Sequence, residues 1–353
     1  MKKTAKTADK PDVLEYMRSI SNIPKHEPAA TTLVEWCNHW LQTRANNIKE
    51  STRFSYENVI KNHIKRVFKD MMLSEVTTED VQLFINSLII GYQLPEPLKP
   101  KTIKNIHGVL HKALNVAVAL NYITNNPAKE IVLPHIERKP PNPLTDSQLI
   151  KLLDRIKSHE KRDIYIFDLL TGLRESELIG LTVDCFNRDD RTLNVYRQLI
   201  YNKRKHQYEF TSLKNSKSRV LTLTQQAYDI LSKYCPDDDT FYSNDIIFKN
   251  RENEHFTAAA LYNSFKKVVK SIGLPKVTFH DLRHTHAVLS LKAGMDIKTL
   301  QYNMGHYSAA FTLDVYGHCL NEMQIHGAHQ LTDFMTKFEV ATSSNDNNQR
   351  CYK

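Results

Sequence analysis

The stretch His280-Asp281-Leu282-Arg283-His284-Thr285-His286 decides how the rest of the chain is read. An apolar lead-in, Val277 and Phe279, precedes it and predicts a buried start. On a helix, His280 and Arg283 stand three residues apart and share a face. A histidine titrates near neutral pH, whereas an arginine is a permanent planar cation with a fork of donors. Together they suit an anion whose chemistry needs a proton moved, and a phosphodiester fits. The pair alone is weak evidence, because His-x-x-Arg arises by chance in many chains. Its weight comes from company: Gly305-His306 and Tyr316 downstream, and Thr171-Gly172-Leu173-Arg174-Glu175-Ser176-Glu177-Leu178 upstream.

At 353 residues the chain has room for two domains, each with its own core. It is 41% hydrophobic and 25% charged, the balance of a soluble globular protein. No apolar run approaches the length that spans a bilayer, and Met1-Lys2-Lys3-Thr4-Ala5-Lys6 has no apolar core behind its charges. A signal peptide and an anchor are therefore not expected, and a cytoplasmic protein is. A formal charge of +9 favours a polyanionic partner, nucleic acid before membrane. Cys37, Cys185, Cys235, Cys319 and Cys351 are odd in number and lack Cys-x-x-Cys spacing. They read as reduced thiols, not as a disulfide framework or a zinc module.

Taken in order, residues 1–28 are polar and Lys-rich and read as a flexible basic segment. Residues 29–126 carry four helical patterns and no strand signal, which predicts a small helical domain. The first pattern is Leu33, Trp36, Cys37, Trp40 and Leu41; the second starts at Ser51 as N-cap, with Phe54, Val59, Ile60, Ile64 and Phe68 inward. Thr77-Thr78-Glu79-Asp80 announces the third, with Val81, Phe84, Ile85, Leu88 and Ile89 inward. The fourth runs from Lys101 to about Tyr122. Arg53, Lys61, Lys65, Lys101 and Lys104 are left for solvent or phosphate. Pro127, Pro134, Pro140, Pro141 and Pro143 mark residues 127–144 as an extended linker. A second, mixed domain covers 145–338, opening on the capping box Thr145-Asp146-Ser147-Gln148. It holds a helix that stops at Gly172, strands at 192–196, 208–210 and 219–223, and a helix from Thr257 to Ile272. Lys203, Arg204, Lys217 and Arg219 lie in or beside basic loops between the strands, and residues 339–353 read as a flexible tail. The fold class is thus mainly α with a small β-sheet.

The run Thr-Gly-Leu-Arg-x-Ser-Glu-Leu, a hairpin lysine, His-Asp-Leu-Arg-His-Thr, Gly-His and a later tyrosine resemble, in order and spacing, the tyrosine recombinases of the lambda-integrase family. The resemblance covers about residues 30–325. It implies a helical core-binding domain and a catalytic domain closing as a C-shaped clamp on duplex DNA. It further implies a monomer when free and a homotetramer in synapsis, an integrase of a phage or conjugative element, and room for an excisionase and a host DNA-bending protein. Carried over residue by residue, Arg174 and Arg283 match the two arginines that stabilise the phosphorane. Lys214 matches the general acid for the departing 5′-oxygen, with Lys217 and Arg219 at the usual spacing. His280 matches the proton acceptor or orienter, His306 the donor to a non-bridging oxygen, and Tyr316 the nucleophile that forms a 3′-phosphotyrosine. Glu177 is expected to fix a partner rather than react. No cofactor and no metal are implied, because the covalent ester conserves the bond energy. Met304 and Tyr307 depart from the leucine and serine more common beside Gly-His in the family.

Each residue also has a plainer reading. A lone arginine after Thr-Gly-Leu is usually ion-paired, Lys214 alone would be a solvated turn lysine, and Tyr316 an ordinary helix tyrosine. His284 and His286 read as structural or exposed. A site made of His280, His284 and His286 lacks a carboxylate or cysteine at ligand spacing and is poor evidence for zinc. Six matches in order favour the recombinase. A type IB topoisomerase-like enzyme and a non-catalytic DNA-binding regulator are the alternatives.

Overall fold

The computed structural model describes residues 30–44, 48–137, 141–213, 217–235 and 242–305, together with 328, 329, 331, 332, 335 and 336. The expectations for residues 1–28 and 339–353 lie outside the described residues. The chain divides into two compact units, Met1–Arg138 and Lys139–Lys353.

In the first unit, the apolar stripe of α1 (Leu33–Arg44) is buried from Leu33 to Leu41. Trp36 fills the centre, and its indole N–H donates to Ala113 O at 2.9 Å, so the ring is buried without an orphaned donor. Helix α2 (Glu50–Val59) starts before Ser51, which is not its N-cap; extended Lys49 takes that place without a side-chain bond. A π turn at Ile60–Ile64 leads into α3 (Lys65–Phe68). Across the wide turn Ile60, Ile64 and Phe68 are buried, while Phe54 and Val59 remain partly open. Helix α4 (Thr78–Ile90) is closed at its start by the expected cap: Thr77 Oγ1 accepts from Asp80 N, and Asp80 Oδ2 accepts from Thr77 N. Val81, Phe84, Ile85 and Leu88 point inward, but Ile89 has turned off that face and is 40% exposed. Helix α5 (Pro100–Ala119) completes the bundle around Ile103, Ile106, Leu110 and Leu114. The proline-rich segment is fastened at both ends: Ala128 lies in the first unit's core, and Leu144 in the second's.

The second unit opens with α6 (Asp146–Ile156), capped reciprocally by Thr145 and Gln148, followed by α7 (Arg162–Thr171) and the single turn α8 (Glu175–Leu178). Strands β1 (Phe186–Asn187), β2 (Thr192–Val195), β3 (Arg197–Asn202), β4 (Gln207–Ser212) and β5 (Arg219–Thr222) follow. They form an antiparallel sheet in the order β1-β2-β5 and a separate hairpin β3-β4. Strand β3 has no counterpart among the expected strands, because Arg197-Gln198-Leu199-Ile200-Tyr201-Asn202 does not alternate strictly. Helices α9 (Gln225–Tyr234), α10 (Ala258–Ser271), α11 (His280–Lys292) and α12 (Ile297–Met304) complete the described unit. Its core packs α7 and α10 through Tyr165, Phe265 and Phe279, whose rings meet edge to face. Cys37, Cys185 and Cys235 are free and buried.

Candidate active site

Helix α7 is buried almost all round and ends at Gly172, which takes φ +59°. Leu173 is buried behind it, so the chain leaves the helix with Arg174 turned outward, 24% of its side chain exposed. Arg174 is the N-cap residue of α8, and the Glu177 carboxylate folds back on it. Oε2 accepts from the Arg174 backbone N–H at 3.0 Å, and Oε1 from Arg174 Nη1 at 2.8 Å.

Helix α11 supplies the second group. Asp281 fixes its start by accepting from Thr278 N at 2.7 Å and Thr278 Oγ1 at 2.8 Å. Thr285 Oγ1 accepts from Leu144 N, tying the helix to the start of the unit. His286 is buried and its Nδ1 lies 2.9 Å from Leu169 O. Arg283, 2% exposed, donates from Nη1 to Gly172 O and from Nη2 to Met304 O.

Three arginines therefore meet three successive carbonyls at the end of α12. Arg219 Nε donates to Asn303 O at 2.6 Å, Arg283 Nη2 to Met304 O at 2.5 Å, and Arg174 Nη2 to Gly305 O at 2.8 Å. A helix C-terminus leaves such carbonyls unpartnered and carries partial negative charge, so cations are favoured there. Gly305 ends the helix at φ +60°. His280 shares with Arg174, Glu175 and Ser176 the wall of a cleft of about 360 Å³, which Tyr201, Tyr208 and Ala258 also line.

The charges in this region are unevenly set. Burial alone would raise the Glu177 carboxyl, but the bond and charge of Arg219, with Arg174 behind them, bring it down to about 2. Burial pushes Asp168 well up; the Arg283 charge opposes this, and Glu175 and Glu177 add to it. Desolvation lifts Glu175 to about 6. His280 is lowered by lost hydration and then by the Arg283 cation, so the neutral ring is favoured at pH 7.

Of the expected site residues, Arg174, Glu177, His280 and Arg283 are brought together, and Lys214, His306 and Tyr316 lie outside the described residues. Lys61, Lys65, Lys101, Lys104, Lys203, Arg204 and Lys217 are exposed, as a phosphate contact requires. Arg53 is half-buried and paired with Glu57 at 3.2 Å. Arg219 is not at the surface: it is 3% exposed and paired with Glu177, which corrects its expected place on DNA. The alternation of β5 carried the signal, since Arg219 shares the buried face with Leu221. Among the described residues, no three His, Cys, Asp or Glu side chains converge as metal ligands, and no helix is long and apolar enough to cross a membrane.

A family model described as the phage integrase family matches residues 142–323, and one described as a phage integrase N-terminal SAM-like domain matches 32–89. The first spans more than half of the chain, and the chain belongs to that family, the tyrosine recombinases. These are enzymes of site-specific recombination that cleave and rejoin DNA. A tyrosine recombinase XerC-like protein of Caldanaerobacter subterraneus subsp. tengcongensis is 26% identical over 347 residues, 90% of this chain and 87% of the relative. The transposase of transposon Tn916 from Enterococcus faecalis is 31% identical over 239 residues, 62% of this chain and 58% of the relative. Among solved structures, the Tn1549 transposon integrase in complex with a circular intermediate DNA superposes with a TM-score of 0.71 at 25% identity, covering 85% of this chain and 99% of that one.

Proposed function

We propose that this recombinase integrates and excises a mobile element, cutting each strand with Tyr316. The phenolic oxygen attacks the scissile phosphorus, its proton passes to His280, and the P–O bond to the 5′-oxygen breaks. Lys214 protonates that oxygen, leaving a 3′-phosphotyrosine and a free 5′-hydroxyl. Attack by a 5′-hydroxyl reverses the steps and rejoins the strand. Arg174 and Arg283 stabilise the phosphorane, which carries more negative charge than the diester, and His306 donates to a non-bridging oxygen. Glu177 holds Arg174 in place and does not react. The supporting observation is the meeting of Arg174 and Arg283 on Met304 O and Gly305 O, one residue before His306.

In this reading residues 29–126 form a DNA-gripping domain and 145–338 the catalytic domain, joined by 127–144. Exposed lysines on both contact phosphate, and four copies assemble on paired attachment sites. The DNA-bound Tn1549 integrase and the Tn916 transposase support duplex DNA as substrate and a mobile element as the setting. An excisionase and a host DNA-bending protein would set direction, in a cytoplasmic compartment that keeps the cysteines reduced. Tyr316→Phe tests the reading: it should bind a nicked duplex made from the element's own end junction and form no SDS-resistant adduct. An adduct at the wild-type rate in that variant would make another residue the nucleophile.

A further inference from the structure

Arg219 follows the basic loop at Lys214 and Lys217, where a positive side chain would be expected to meet phosphate. Its surroundings assign it elsewhere. Strand β5 alternates buried and exposed, and Arg219 falls on the buried side, in register with Val195 of β2. Its guanidinium gives Nη2 to Glu177 Oε2 at 2.6 Å, Nη1 to Glu177 Oε1 at 3.2 Å and Nε to Asn303 O at 2.6 Å. The Glu177 carboxylate is the one that also holds Arg174, at both its backbone N–H and its Nη1. The backbone of Gly305 lies against both cations: a Cβ built there would stand 3.1 Å from Arg219 Nη1 and 3.4 Å from Arg174 Nη1. A second tie runs beside the first, with Val220 N donating to Tyr302 OH at 3.1 Å.

We propose that Arg219 is a positioning residue for strand cleavage, acting through Glu177 on Arg174 and through Asn303 on the backbone that leads into His306, without touching DNA. The argument is one of shared acceptors. Glu177 is buried and ionised and needs a permanent cation on its inner side. With Arg219 present, both carboxylate oxygens are engaged from within, and Arg174 keeps part of its fork for an incoming phosphate. With Arg219 absent, Arg174 is left to hold this buried charge, and its guanidinium is drawn further toward Glu177. The end of α12 loses a clamp in the same event. Lysine cannot substitute, because one ammonium does not present three N–H donors in a plane to two acceptors on different elements.

This inference rests on the reading of Arg174 and His306 as reacting groups, and its test keeps the two apart. Full-length Arg219→Lys, Arg219→Gln and Arg174→Ala are compared with the parent on a nicked duplex made from the element's own end junction. Three quantities are read: affinity against salt, the rate of covalent adduct formation at saturating DNA, and the urea midpoint, which gives the folded fraction. The expected result is unchanged affinity and salt slope for both Arg219 variants, with the saturated rate per folded molecule down about ten-fold or more. Adding Glu177→Gln to Arg219→Gln should cost no more than the worse single change. A salt slope shallower by about one, with the saturated rate intact, would make Arg219 a phosphate contact and overturn the proposal. An unchanged rate per folded molecule with a lower urea midpoint would leave it a purely structural residue, which also overturns it. Arg219→Lys keeps a cation against Glu177, so the comparison stands if the glutamine variant does not fold. An adduct at the parental rate in Arg174→Ala would fault the active-site reading itself; loss there with full activity in the Arg219 variants would fault this inference alone.

Discussion

His286 and Gly172 are packed so closely that neither can grow: a Cβ placed on Gly172 would fall 2.4 Å from His286 Cδ2 and 2.8 Å from its Cγ. The contact joins the end of α7, two residues before Arg174, to the middle of α11, which carries Arg283. Their separation is therefore set by backbone against ring, not by flexible side chains.

Gly172→Ala should accordingly be costly. The residue sits at φ +59°, where a side chain is strained, and the added methyl meets a buried ring. Together these should lower unfolding stability by ~2–4 kcal/mol. Urea unfolding of the two proteins checks this; a loss under about 0.5 kcal/mol would mean that α11 can move away freely.

His286 also predicts a pH dependence. Burial holds its pKa down to about 4, against an ordinary value of 6.5, although the bond to Leu169 O works the other way. The unfolded chain takes up a proton through this window that the folded chain refuses. Stability is then full above pH 6.5 and falls as pH drops toward 4, by up to ~3 kcal/mol from this ring. His284 shifts in the same direction and is present in both proteins, so comparison with His286→Asn isolates the one ring. Parallel stability curves for the two proteins between pH 7 and 4 would show that His286 is protonated without resistance.

The Glu177–Arg219 pair predicts an asymmetry. Both side chains are buried, at 1% and 3% exposure, so Glu177→Ala strands a buried cation and should cost about 3–5 kcal/mol. Replacing both by apolar residues, Glu177→Leu with Arg219→Met, removes the stranded charge and should recover a good part of that loss. Thermal or urea unfolding decides it: a double variant as unstable as Glu177→Ala would mean that the bonds to Arg174 and Asn303 dominate over the pair.

Surface cations should differ in their effect on DNA binding. Lys101 and Lys104 are exposed on α5, and each alanine substitution should make log affinity against log salt shallower by about one if they contact phosphate. Arg53 already holds Glu57, and Arg53→Ala should change the slope less. Slopes equal to the parent's for both lysine variants would remove these two side chains from the DNA interface.

The helices of the first unit were legible because their signals are local. Thr77 with Asp80 and Thr145 with Gln148 are reciprocal caps visible in four letters, and both stand in the structure. Ser51 misled for a local reason too: a hydroxyl near a helix start reads as a cap, but the helix had already begun one residue earlier. The π turn at Ile60–Ile64 has no signature in spacing, since its effect is to rotate a face that still looks periodic.

In the site, the motif residues could be placed on the sequence because chemistry restricts their types. What spacing could not give was depth. Arg283 and Arg219 look like Lys203 or Lys217 on paper, yet they are buried under carbonyls and a carboxylate from segments far away in the chain. Only the even-odd register with Leu221 hinted at this for Arg219. For Arg283 the helical face shared with Phe279, His286 and Ala287 was masked by the polar neighbours His280, Asp281 and His284.

The three carbonyls at the end of α12 gather three guanidinium groups against one low-pKa carboxylate, Glu177, while burial drives Asp168 toward its neutral acid. Three permanent cations are thus gathered at one helix end, partly screened from water and held in a fixed shape. Such a cluster favours tetrahedral oxyanions, and mass action then ties thermal endurance to the anion in the buffer. Sulfate or phosphate should raise the melting temperature above that in chloride at equal ionic strength, and Arg174→Ala should shrink the difference. Before any duplex arrives, the protein's own heat resistance would register what its reaction centre is shaped to hold.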